Sequence, residues 1–323
     1  MSVKETILSI PSPLGPPTDL LKFSWEGTPI KETVSIVGGI QGNHLNGIYL
    51  CSRLIRFLDA VEAEIEPDYI LKGRIQVIPA VNLPAFQEGN RLWSFDDLDM
   101  DLAFPGNDQG EVAEQIAAAV YQHTKDSQFG IILNNADNHY EDAPHLVCMN
   151  PDNLTKDFAR SLGPPNAREP ENSPALRLCL YNQWTENRLP SVILSAGKPN
   201  HLDRALCETL FAGLVNSLLW TGVLVNKRKK TKKYPVRFNN RNNEKFVFAG
   251  AGGFFLLLVQ PGSEIKKGQK IGEIVDMYSG TVIDSPLAQS DGYLVTLRDY
   301  PVVYQKEVLA VLLKKQKFSF WPF

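Results

Sequence analysis

The side chains through which this sequence could do chemistry are few and mostly dispersed. Its five histidines include His44, in a polar turn after a β-branched run, and His139, which closes an Asp-Asn-His triplet at 137–139 ahead of Pro144. An imidazole in either place could ligate zinc, nickel or copper. His123 and His201 have no partners in the sequence with which to form a site and read as surface or helix-cap residues. The four cysteines, Cys51, Cys148, Cys179 and Cys207, form no Cys-x-x-Cys pair. Neither a thiolate zinc site nor a disulfide framework is expected from them; reduced, buried thiols are. Arg91 stands shortly before Asp97, Asp99 and Asp101 and could be neutralised by any of them. Ser195 opens Ser-Ala-Gly-Lys-Pro, which is not the Gly-x-Ser-x-Gly elbow of a serine hydrolase. The run Gly-Ala-Gly-Gly at 250–253 lacks the strand and helix of a dinucleotide site and reads as a tight turn.

The elements that must carry these residues alternate in type. Val34-Ser35-Ile36-Val37 reads as a buried strand stopped by Gly38-Gly39, and Cys51, Leu54, Ile55 and Leu58 then mark one face of a helix. Arg74 to Pro79 is a second strand, Glu111 to His123 an alanine-rich amphipathic helix, Phe129 to Leu133 a third strand, Ser191 to Leu194 a fourth, and Leu206 to Leu219 a long apolar-faced helix. Strands alternating with helices predict an α/β layer built on a largely parallel sheet. Past the basic stretch Asn226 to Lys233, read as a solvated linker, the pattern changes to short apolar runs punctuated by glycine, which predicts a small all-β unit. The expected division is 1–228 and 229–323, the second part ending in the apolar tail Lys-Phe-Ser-Phe-Trp-Pro-Phe, expected to dock on its own domain or a partner subunit.

Composition excludes several classes. At 43% hydrophobic and 21% charged, the 323 residues can bury a substantial core, which rules out disorder and low-complexity fibres. Lys plus Arg number 33 against 36 Asp plus Glu, a net charge of −3 that gives no electrostatic reason to bind nucleic acid or an anionic membrane. The first residues lack the pattern of a signal peptide, and no stretch approaches the ~18 apolar residues of a membrane-spanning helix. A cytoplasmic location is expected.

Longer segments carry a resemblance. Val34 to Leu50 (VSIVGGIQGNHLNGIYL) resembles the metal-binding turn of the succinylglutamate desuccinylase/aspartoacylase family, Gly-Gly-x-His-Gly-x-Glu-x-x-Gly. The stretch 80–106, with its Gly-x-Arg and its Phe-Pro-Gly, the Pro-His-Leu at 144–146, and the segment 248–276 resemble further family motifs in the same order. The resemblance implies a carboxypeptidase-like mixed sheet flanked by helices, followed by a small barrel-sandwich domain similar to biotinyl and lipoyl domains. It also implies a zinc hydrolase acting on amide bonds, in which a strand end and the following turn bring two ligands to one ion.

The same alignment puts unusual residues at the reactive positions. Gln41 stands at the first ligand position, His44 at the second and Asn134 at the third; Ser195 stands where the family has its catalytic glutamate; Asp101 and Leu102 replace the Asn-Arg pair that holds a substrate carboxylate. Arg91 alone matches the family's polar site residues, at the place of the arginine that polarises the scissile carbonyl. One imidazole and two neutral amides form a far weaker zinc site than two imidazoles and a carboxylate, and a serine hydroxyl cannot serve as general base near neutral pH. The expectation is a non-catalytic binding or regulatory homologue without a cofactor, holding a small polar or acylated ligand, or pairing with itself or with an active paralogue. The alternative is an N-acyl amino acid or peptide amidohydrolase with zinc or another divalent metal on His44 and His139, with Gln41 or His145 filling in.

Overall fold

The computed structural model describes residues 3–12, 15–29, 32–169 and 174–314. The apolar tail at 317–323 lies outside the described residues. Its frame is a 13-stranded sheet whose centre runs Arg74–Ile78, Thr33–Gly38, Phe129–Asn134, Ser191–Gly197, all parallel. Side chains of these strands alternate between two cores. Ile36, Ile131, Leu133 and Val192 pack with the helices Leu45–Glu62 and Arg204–Trp220, while Val37, Ile78 and Ile132 face the helix Val112–Thr124 and Trp184. Burial on both faces explains why these strands are continuous apolar runs.

The sequence pattern located these four strands and the helices Val112–Thr124 and Arg204–Trp220 within a few residues of their ends, and marked one face of the helix Leu45–Glu62 through Cys51, Leu54, Ile55 and Leu58. Among the strands it left unread are Val3–Ile10 and Thr18–Glu26, which add an antiparallel edge, and Tyr140–Val147, which pairs antiparallel with Ser191–Gly197. The sheet is therefore mixed. Tyr140–Val147 also bonds Gly292–Arg298, so the sheet continues into the C-terminal part through Val308–Lys314 and Glu244–Phe248. A separate four-stranded antiparallel sheet, with Gly253–Leu257 and Gly272–Val275 at its centre, covers one side of this extension. Phe255, Ile274, Leu294, Leu309 and Leu312 fill the space between. Beyond residue 229 every described element is a strand or a short 3-10 turn, the all-β unit that the glycine-punctuated runs predict. No helix among the described residues is long and apolar enough to cross a membrane.

Candidate functional site

A cavity of about 660 Å³ opens at the C-terminal ends of the parallel strands, where the fold leaves a crevice for ligands. Strand register brings its floor together: Asn134 is the partner of Ser195 in the parallel pair, and Ser195 is the partner of His145 in the antiparallel one. The turn after Thr33–Gly38 supplies Gln41 and His44. Two glycines make that turn possible. A Cβ on Gly42 would lie 2.3 Å from backbone of Ala85, and one on Gly47 would lie 2.5 Å from the Leu133 carbonyl oxygen. The first turn of the helix Leu45–Glu62 thus lies directly against the Phe129–Asn134 strand, with His44 at its N-cap.

His44 is 2% exposed. Burial, reinforced by the Arg91 charge, pushes its imidazole down to about 3, against a smaller opposing effect of the Asn134 amide, so it is neutral near pH 7. Its Nδ1 and the Oδ1 of Asn134 are buried without a hydrogen-bond partner. Gln41 turns its amide toward Asp99, with Nε2 3.4 Å from Oδ1. These residues do not fit a zinc ion. The set offers one imidazole and no anionic donor, and among the described residues no three His, Cys, Asp or Glu are grouped to hold a metal.

His139 is not part of this arrangement. It is exposed, adopts a positive φ of 74°, and lays its ring on Tyr300 at 4.6 Å, outside the cavity lining. The reason is local: its carbonyl accepts from the N–H groups of Asp299 and Tyr300, which ties the loop to the C-terminal sheet. The alternative ligand pair of His44 and His139 is therefore not assembled. His145 does line the cavity, 2% exposed, with Nδ1 donating to the Ala143 carbonyl 3.0 Å away and its proton affinity lowered by burial.

Arg91 lines the cavity and is paired twice. Nη2 meets Asp99 at 2.8 Å and Nη1 meets Asp137 at 2.9 Å. Of the three aspartates expected as partners only Asp99 pairs with it; Asp137 comes from a different loop. Asp97 is in a left-handed turn with φ of 58°, and Asp101 occupies the 3-10 turn Met100–Leu102, where its side chain faces Cys179 and Leu180. Burial, then the Asp99 charge, raises the Asp101 carboxyl to about 6. Its Oδ1 has no hydrogen-bond partner. Leu102 adds an apolar wall beside it.

The residue that sequence reasoning missed is Asp142. Ser195 Oγ donates to its Oδ2 at 2.7 Å, and Thr296 Oγ1 donates to its Oδ1. A carboxylate therefore does reach the place of the expected glutamate, but from the neighbouring strand. Only the pairing of Tyr140–Val147 with Ser191–Gly197 reveals it.

Residues 30–165 match the family model described as the succinylglutamate desuccinylase/aspartoacylase catalytic domain. Over 85 residues the chain is 31% identical to the N-alpha-acetyl-L-2,4-diaminobutyric acid deacetylase of Halomonas elongata, a stretch that is 26% of this chain and spans only 22% of that relative's length. Two solved structures share the fold across nearly the whole chain. The succinylglutamate desuccinylase/aspartoacylase from Rhodobacter sphaeroides superimposes with a TM-score of 0.78 at 18% identity, covering 96% of this chain and 94% of its own. The product-bound ectoine utilization protein EutE from Ruegeria pomeroyi gives 0.75 at 19% identity, covering 93% and 90%.

Proposed function

Because residues 30–165 match the succinylglutamate desuccinylase/aspartoacylase catalytic-domain model, we propose that the chain is a binding or regulatory homologue of that family that lacks its amide hydrolysis. The observation that carries this reading is the donor set at the three positions where the resemblance expects zinc ligands. Gln41, His44 and Asn134 supply no negative charge, and two carboxylates of the same lining, Asp99 and Asp142, are already engaged by Arg91 and by two hydroxyls. Zinc activates water only when ligands hold it firmly with one position open, and this set gives no such hold. The cavity of about 660 Å³ at this place supports a small-molecule ligand in a cytoplasmic protein, acting alone or paired with a second copy or an active paralogue.

The test is hydrolysis. N-acetyl-aspartate, N-succinyl-glutamate and N-acetyl-2,4-diaminobutyrate are each incubated with the protein and added zinc. The reading predicts release of the free amine no faster than in buffer with zinc. Turnover at about 1 s⁻¹ or more, ordinary for an enzyme, would contradict it.

A further inference from the structure

We infer that the cavity receives a small organic cation, a ligand bearing a primary ammonium group, rather than the carboxylate that the family resemblance implies; the inference rests on the binding reading above and specifies its ligand. Two independent observations lead there.

The first is the charge of the lining. Its ionised groups are Arg91 and Arg168 against Asp99, Asp101, Asp137 and Asp142. Arg91 is neutralised by Asp99 and Asp137, and Arg168 is paired with the buried Glu244 at 3.2 Å. No guanidinium is thus left over for an anionic ligand. Asp142 has its two oxygens covered by hydroxyl donors, which leaves Asp101 as the carboxylate without a cationic partner among the lining residues. Leu102, at the place of the family's carboxylate-binding arginine, adds no compensating charge.

The second is the chemistry of the buried groups without partners. Asp101, Asn134 and Asn135, residues that line one cavity, each carry a buried Oδ1 without a hydrogen-bond partner, and His44, 2% exposed and set against the Asn134 amide, has a buried Nδ1 without one. The orientation of the Asn135 amide is fixed, because its Nδ2 donates to the Lys198 carbonyl at 2.7 Å. Among the fully buried atoms of the described lining residues, the Nε of Arg91 is the unpartnered donor. Buried acceptors without donors are costly, and an ammonium group brings three donors and a positive charge to such a set. A carboxylate would bring more acceptors and meet Asp101.

The experiment is isothermal titration calorimetry of the full chain with putrescine, and separately with succinate, a dianion of similar length. Putrescine is expected to bind and succinate to give no heat. Asp101→Asn should weaken putrescine binding at least tenfold. Leu102→Arg, which restores a positive charge to the wall, should abolish putrescine binding and admit succinate. Three results would overturn the inference: no heat with putrescine, putrescine binding unchanged in both variants, or a site that takes zinc or magnesium through Asp101 and ignores the amine. Failure here is separable from failure of the binding reading. Succinate binding without hydrolysis sinks only the cation, whereas zinc-dependent hydrolysis sinks the binding reading whatever putrescine does.

Discussion

Ser195 Oγ lies 2.7 Å from Asp142 Oδ2, across the antiparallel pair of Ser191–Gly197 and Tyr140–Val147. The same carboxylate accepts from Thr296 on the next strand, which belongs to the C-terminal part of the sheet. Asp142 therefore ties three strands together at the seam between the α/β frame and the all-β unit. A group committed in this way is a structural tie and not a free general base.

That tie sets the first expectation. Asp142→Ala leaves the buried Ser195 hydroxyl and the half-buried Thr296 hydroxyl without their acceptor, and an unsatisfied buried group costs about 1–3 kcal/mol. Urea denaturation should show a loss of that size. An unchanged midpoint would mean that the seam does not depend on Asp142.

Restoring the family's residues should rebuild the metal site without rebuilding the reaction. The triple variant Gln41→His, His44→Glu, Asn134→His is expected to retain zinc through dialysis, as elemental analysis would show. Its deacylation should still be slower by roughly 10²–10⁴-fold for want of a general base. Adding Ser195→Glu would press a second carboxylate against Asp142, so stability should fall at pH 7.5 and recover on acidification as one of the two takes up a proton.

Asp101 gives a pH signature. Its folded carboxyl titrates at about 6 against an unfolded value of 3.8, so the folded protein holds the extra proton between those values. Stability associated with this group is present at the acid end of the window and is lost as pH rises through it. Asp101→Asn should therefore be about 1–3 kcal/mol more stable than the parent at pH 7.5, with the difference closing below the acid end of that window. Urea midpoints at the two pH values measure this, and a variant less stable at pH 7.5 would refute it.

His44 acts in the opposite sense. With a folded value of about 3 and an unfolded value of 6.5, the unfolded chain binds more protons in between, so stability falls as pH drops below 6.5. The loss should reach about 3 kcal/mol near pH ~4.5. His44→Gln should flatten that part of the stability profile in circular dichroism melts, and an identical slope in the variant would show that another group drives acid unfolding.

The sequence made the frame legible because its central strands are buried on both faces and read as unbroken apolar runs, as in Val34–Val37 and Phe129–Leu133. Gln41, His44, Asn134, Ser195, Arg91, Asp101 and Leu102 all reach one cavity: Asn134 and Ser195 sit on strands, and Gln41 and His44 just after one, whose positions those runs reveal, whereas Arg91, Asp101 and Leu102 come from the segment after the helix Leu83–Glu88. What escaped depended on pairing across distant segments. Tyr140–Val147 mixes polar and apolar residues without a clean period, so neither the strand nor Asp142 on it could be read. Arg91 shows the same limit. Its neighbours in sequence offered three aspartates, yet tertiary folding selected one of them and added Asp137 from the loop after Asn134.

The central claim, that this site has lost its metal chemistry, is tested most directly by zinc bound per chain. The protein is dialysed with one equivalent of zinc, passed over a desalting column and measured by inductively coupled plasma mass spectrometry, alongside His44→Ala. The account predicts far less than one zinc per chain and no difference between the two proteins. Near-stoichiometric zinc in the parent, lost in His44→Ala, would contradict it.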